Sequence, residues 1–279
     1  MHLDFYAAHG ELSDPGKHAQ CIDRLPGDVA AMAGIVQGLL LHDYYGGELY
    51  GQAPVEFVAQ SRTTLPVEER LTAVLGRDSA PLDTTRAPFE RSVGTCRDFA
   101  LLLCAMLRQH GTPSRVRCGF ADYFGGPGWE DHWVTEYWLA HDNRWALADA
   151  QLDDAHRHHL GIEFDVVDIP RARFRLAWQA WRACRAGADP SHYGHGGATG
   201  LWFVEVNLAR DLNALSKRET SPWDSWRNAK PADRLFDEAR LAQGDHWAAL
   251  GEHVDERDFP GAGDLALACR TPPPWKVPV

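Results

Sequence analysis

Between Thr95 and Asp149 the apolar residues change their period once, from helical to strand-like, and that switch limits the folds open to this chain more than any other feature. Phe99, Leu102, Leu103, Met106 and Leu107 recur at i, i+3, i+4, i+7 and i+8, the stripe of a helix buried on one face. Thr95 stands where an N-cap belongs, with Asp98 three residues on as an acidic capping-box partner, and Gly111 and Pro113 stop the helix. Three strands follow. Val116, Cys118 and Phe120 alternate with Arg115, Arg117 and Gly119; Asp131 to Ala140 is rich in aromatic and β-branched residues; Trp145, Leu147 and Asp149 share one side of the third. Gly125-Gly126-Pro127-Gly128 joins the first two strands, and Asn143 suits the turn between the second and third. A helix with one apolar face, followed by strands with apolar faces, predicts an α+β core in which the helix packs on an antiparallel sheet.

The flanks read mostly as helix. Asp28 caps a run in which Val29, Met32, Ala33, Val36, Leu39 and Leu40 recur at helical spacing, and Pro66 opens a shorter helix with Leu71, Val74 and Leu75 on its apolar face. Residues 42–56 read as a turn-rich loop, and residues 78–88 as an extended linker over the surface. Arg171 to Ala186 carries Phe174, Trp178 and Trp181 on a basic amphipathic frame, and a Gly/His loop then leads to Leu201-Trp202-Phe203-Val204 and several short helices. The chain is expected to form one domain over 1–279, with its core at 90–153 and helical elaborations at 1–75 and 171–279.

Composition removes several functions. Lys and Arg number 28 against 39 Asp and Glu, a formal net charge of −11, and there is no long basic run. Nucleic acid is therefore not expected as a partner, because backbone binding by counterion release needs a basic surface. The longest apolar stretches, 30–41 and 99–107, fall short of the ~20 residues that cross a bilayer, so no membrane partner is expected either. Met1-His2-Leu3-Asp4-Phe5 lacks the basic and apolar regions of a signal peptide, and the six cysteines form no C-x-x-C pair. The expected setting is a reducing, bacterial-type cytoplasm. His156, His158 and His159 do not share one helical face, so no metal and no cofactor are expected. The oligomeric state is not legible.

One cysteine is set apart by its position. Cys96 falls at the first helical residue, where unpaired N–H groups and the helix dipole favour a thiolate. His132 opens the second strand and Asp149 ends the third. An antiparallel hairpin through Asn143 brings 132 opposite about 149 and both to one end of the sheet, the arrangement a Cys-His-Asp acyl-transfer triad requires. Cys104 and Cys118 read as buried hydrophobes, and Arg97 and Asp98 as capping and surface residues.

These residues resemble the transglutaminase-like superfamily. Gly94-Thr95-Cys96-Arg97-Asp98-Phe99-Ala100, continuing to Gly111-Thr112-Pro113-Ser114-Arg115, is similar to that family's nucleophile helix and the break that follows it. Asp131-His132-Trp133-Val134-Thr135-Glu136-Tyr137 resembles its His-Ala-Trp-x-Glu strand, with Trp133 where Ala is usual, and Trp145-Ala146-Leu147-Ala148-Asp149 resembles its Trp-x-x-x-Asp strand. The resemblance implies a papain-like α+β fold, with Cys96 as nucleophile, His132 as general base and acid, and Asp149 as orienter. It implies acyl transfer from a peptide, protein or small amide or ester, resolved by water as hydrolysis or by an amine acceptor as transamidation. No upstream oxyanion donor matches by motif, and the Cys96 backbone N–H is the natural candidate. Two other functions remain open on the same fold: a silent binding or scaffold protein, and an acyl- or amide-forming step in a biosynthetic pathway.

Overall fold

The computed structural model describes residues 3–60, 66–219 and 231–256. Cys269, Trp223, Trp226 and the Thr271–Pro274 run lie outside the described residues. The chain divides into two compact units, Leu3–Val116 with Val134–Pro170, and Met1–His2 with Arg117–Trp133 and Arg171–Val279.

The first unit begins with helices α1 (Leu3–Ala7), α2 (Ala19–Ile22) and α3 (Val29–Leu39). Asp28 caps α3 by accepting the Ala31 N–H at 2.9 Å, and Met32, Ala33, Val36 and Leu39 form its buried face. Strand β1 (Leu40–His42) follows without a break, then α4 (Asp43–Tyr50), α5 (Val55–Val58) and α6 (Val67–Arg77). Strand β2 (Ser92–Gly94) leads into α7 (Cys96–Gln109), after which come β3 (Ser114–Ala121), β4 (Trp129–Leu139), β5 (Arg144–Ala148) and α8 (Asp154–Leu160). β1 and β2 form a small parallel pair, with Leu40, Leu41 and His42 level with Ser92, Val93 and Gly94. β4 and β5 are antiparallel and close on Leu139↔Arg144 through a turn in which Asn143 takes φ +52°.

Two segments differ from their expected form for physical reasons. The 42–56 loop is instead two helices: the His42 side chain caps α4 by accepting the Tyr44 N–H, and Gly46 is buried where a Cβ would stand 3.1 Å from Leu41 and 3.5 Å from Phe57. Glycine is chosen there for close packing, which composition reads as a turn. Residues 78–87 do lack regular structure, but they wrap a buried side chain. Arg86 is 4% exposed and donates to the carbonyls of Asp78, Ala80, Pro81 and Thr84 at 2.6–3.2 Å.

The second unit holds β6 (Phe174–Leu176), α9 (Ala177–Arg185), β7 (Tyr193–His195), β8 (Ala198–Thr199), α10 (Leu201–Leu215) and α11 (Glu238–Glu256). The strand order is β6-β3-β4-β7-β8, with β5 also on β4. The expected 171–186 helix therefore starts late, because Phe174–Leu176 pairs antiparallel with Gly119–Ala121 of β3. Gly119 permits that pairing: a Cβ there would meet the Arg175 carbonyl oxygen at 2.4 Å. β7 joins β4 in parallel at Trp129↔Tyr193, so the sheet is mixed where an all-antiparallel one was expected. Among the described residues after 200, where short helices were expected, α10 runs for 15 residues and α11 for 19.

α10 buries charge. Asp211 accepts from Arg117 Nε and Nη2 at 3.0 and 2.8 Å and from the Cys118 N–H at 2.9 Å, with Arg117 0% and Asp211 1% exposed. Removing one partner of such a pair leaves the other desolvated. Asp211→Ala is expected to destabilise the protein by about 3–5 kcal/mol in urea unfolding; a change within about 0.5 kcal/mol, as at a surface site, would contradict this account of the pair.

Candidate active site

α7 begins at Cys96, which is half-buried, and nearly all of the helix beyond it is buried. Its start is fixed by one carboxylate. Asp98 accepts the Thr95 N–H at 2.9 Å and the Thr95 hydroxyl at 3.2 Å, the acidic half of the capping box. The same carboxylate meets Arg97 Nη1 at 3.1 Å and Arg70 Nη2 at 3.3 Å. Arg70, on α6, also donates to the Val93 carbonyl at 2.6 Å, so it ties α6 to the strand that leads into Cys96. Arg97 and Asp98 are 1% and 5% exposed, which corrects their expected place on the surface; both stand inside an ion cluster. Burial alone would raise the Asp98 pKa, but Arg70 and Arg97 outweigh it and hold the carboxyl below its ordinary value.

Asp149 lies one residue past β5 and is 1% exposed. Its N–H donates to the Val166 carbonyl at 2.8 Å, and its Oδ1 accepts the Gln151 N–H at 3.0 Å. The β4–β5 pairing sets Thr135 opposite Ala148, so the next step places Asp149 level with Val134. The expected register, 132 against 149, is therefore two residues off. Side chains two apart on a strand share a face, so Asp149 stands on the face of β4 that carries position 132. β4 is held to α7 by the Thr135 hydroxyl, which donates to the Ala100 carbonyl at 2.7 Å.

His132 lies on the β4 segment that belongs to the second unit and is 2% exposed. Within that unit three rings stand edge-on to its imidazole: Phe124 at 4.7 Å, Tyr123 at 5.9 Å and Phe174 at 6.5 Å. The residue before it is clamped by α10, where Asn207 donates to Asp131 Oδ1 at 2.8 Å and Arg210 to Oδ2 at 3.3 Å. Trp133, the departure from the family pattern, is 1% exposed.

Cys104 is buried in mid-helix with Sγ 3.4 Å from Ser114 Oγ, and Cys118 Sγ lies 3.3 Å from Asn207 Oδ1. His156 is tied to Asp153 at 2.7 Å, and among the described residues no group of three or more His, Cys, Asp or Glu has the arrangement to hold a metal ion. Sequence reasoning missed Arg70. Its signal was its position: it lies on the buried stripe with Val67, Leu71 and Val74, where an unpaired charge could not stay.

Residues 62–150 match the model of the transglutaminase-like superfamily, and Cys96, His132 and Asp149 all lie inside the matched span. No curated protein matches the chain. The crystal structure of a candidate cysteine protease from Cytophaga hutchinsonii is similar over 63% of this chain, at 14% identity and a TM-score of 0.38, and this chain covers 45% of that protein's length. Among the described residues no helix is long and apolar enough to cross a membrane.

The Asp98 cluster has an acid signature. A carboxyl whose folded pKa is depressed adds stability that is fully present above its unfolded value, about 3.8, and is lost as pH falls through the folded value. The stability gap between wild type and Asp98→Asn is expected to be constant from pH 7 to 5 and to shrink below pH 4, read from urea midpoints at each pH. A gap that does not change down to pH 2 would contradict the ion cluster.

Proposed function

We propose that this protein is a cysteine-dependent acyl-transfer enzyme acting on a peptide, protein or small amide or ester. Cys96 is the nucleophile, His132 the base and acid, and Asp149 the group that orients the imidazole. The observation that carries the reading is Cys96 at the first residue of a deeply buried helix, with the β4–β5 register putting Asp149 on the face of β4 that carries position 132. A helix N-terminus stabilises the thiolate, and a carboxylate accepting from the imidazole fixes the tautomer that takes up and returns the thiol proton.

In the first step the Cys96 thiolate adds to the carbonyl carbon, and collapse of the adduct expels an amine or alcohol that takes its proton from His132. The acyl-enzyme is then resolved by a second nucleophile. Water is the acceptor that needs no binding site, so hydrolysis is the proposed outcome, with transamidation where an amine reaches the thioester first. The rings around His132 and the buried Asp131 clamp support the reading by restricting how the imidazole can move.

The test is capture of the acyl-enzyme by intact and peptide mass spectrometry after mixing with an activated ester such as p-nitrophenyl acetate. The acyl group is expected on Cys96 in wild type, absent from that peptide in Cys96→Ala, and formed at least about 10²-fold more slowly in His132→Gln, the scale on which a general base acts. The Cys96→Ala melt is expected to stay close to wild type. Acylation spread evenly over several cysteines, or unaffected by His132→Gln, would overturn the triad.

A further inference from the structure

Asp149 is followed by a turn whose backbone links it to a second carboxylate. The Gln151 N–H donates to Asp149 Oδ1 at 3.0 Å, and the Gln151 carbonyl accepts the Asp153 N–H at 3.0 Å. Gln151 therefore stands between the two carboxylates, and a shift of Asp153 reaches Asp149 through it. The Asp149 N–H bond to Val166 also holds this turn, as does a 3.3 Å bond from Gln37 on α3 to the Leu152 carbonyl. Neither reaches the segment that leads through β2 into Cys96. The Asp153 side chain does.

Asp153 Oδ2 accepts the Tyr50 hydroxyl at 2.5 Å and lies 3.7 Å from Arg91 Nη1. Tyr50 ends α4, which follows β1, and Arg91 is the residue before β2, so both partners flank the parallel strand pair that precedes Cys96. The Arg91 guanidinium lies over the Tyr50 ring, 5.7 Å from its centroid, and its Nε donates to the Arg86 carbonyl at 3.0 Å. The other carboxylate oxygen is engaged from α8. Oδ1 accepts the His156 N–H at 3.0 Å, which caps that helix, and lies 2.7 Å from His156 Nδ1. His156 is buried, and the Tyr45 ring stands edge-on to it at 5.2 Å. Its Nε2 meets no polar partner among the described residues, so there the imidazole serves this carboxylate alone. Burial would raise the Asp153 carboxyl, but the His156 and Tyr50 hydrogen bonds outweigh it and hold the group down at about 2.

We infer that Asp153 is a positioning residue for acyl transfer: by tying the turn that carries Asp149 to Tyr50 and Arg91, it sets where the orienting carboxylate stands relative to Cys96. This rests on Cys96 as nucleophile and Asp149 as orienter. Asp153 touches no reacting atom, and its effect passes to the reaction through Gln151 and Asp149. A carboxylate orients an imidazole only at hydrogen-bond distance, and a misplacement of about 1 Å caused away from the chemistry can cost about 10²-fold in rate. Capping α8 needs only one side-chain oxygen at position 153, which a serine supplies. The second oxygen, turned to Tyr50 and Arg91, does what a cap does not require.

That difference gives the test. Asp153→Ser keeps a cap for α8 and loses the bridge to Tyr50 and Arg91, whereas Tyr50→Phe keeps Asp153 entire and removes one donor from the bridge. Acylation of Cys96 by p-nitrophenyl acetate is timed by peptide mass spectrometry in wild type, each variant, Asp149→Ala, and each variant combined with Asp149→Ala, with a melt of every protein. Asp153→Ser is expected to slow acylation by about 10–10²-fold, and Tyr50→Phe by a smaller factor. Neither is expected to slow it further once Asp149 is alanine, because residues that act through one partner are not additive. Asp153→Ser decides the matter where it folds, and Tyr50→Phe where it does not. A wild-type rate in the deciding variant, or a loss that multiplies with that of Asp149→Ala, overturns the assignment. Wild-type Cys96 acylated no faster than the other cysteines, or Asp149→Ala acylated at the wild-type rate, overturns the triad itself, a separate result.

Discussion

The Asp98 carboxylate stands under the first turn of α7 and receives the Thr95 N–H, Arg97 and Arg70 within 3.3 Å. Most of the local architecture follows from satisfying that buried charge. Arg70 must be on a helix that reaches it, which sets α6 against β2 through the bond to Val93. Thr95 must be extended for its N–H to turn back, which is the conformation an N-cap requires, and the helix then has to begin at Cys96. A cysteine placed on a free loop would keep its thiol mobile. Cys96 is the first residue of a helix whose start is overdetermined by three partners.

The sheet answers the same demand from the other side of the chain. Thr135 donates to the α7 backbone at Ala100, and the Asn143 turn then fixes which residue of β5 lies beside which residue of β4. A slip of one residue would turn Asp149 to the opposite face, whereas the two-residue offset found here keeps it on the face of position 132. The second unit keeps its part rigid by different means: Asp131 is bound by Asn207 and Arg210 from α10, and aromatic edges surround His132. Burial outweighs Arg210 at Asp131 and raises its carboxyl pKa, so this contact is worth more as a positional constraint than as a source of stability.

The parts that were legible in sequence are those whose signal is local. Period 3.6 with a capping pair marked the first residue of α7, and the period-two strands with Asn143 marked the hairpin. What was hidden is carried by partners distant in the chain. Arg70 and Arg117 look like solvated charges until a carbonyl or carboxylates tens of residues away close on them, and the usual association of charge with surface then misplaces them. Phe174–Leu176 has the composition of a helix start but becomes a strand because Gly119 leaves room for its backbone.

The proposed function requires Cys96 to be a thiolate supported by His132. The most direct measurement is the pH dependence of iodoacetamide labelling at Cys96, read by peptide mass spectrometry against the other five cysteines in wild type and His132→Gln. The account predicts fast labelling of Cys96 below pH 7 in wild type, with the acid limb lost in the variant. Labelling of Cys96 that rises only with an ordinary thiol pKa of about 8.5, the same in both proteins, would contradict it.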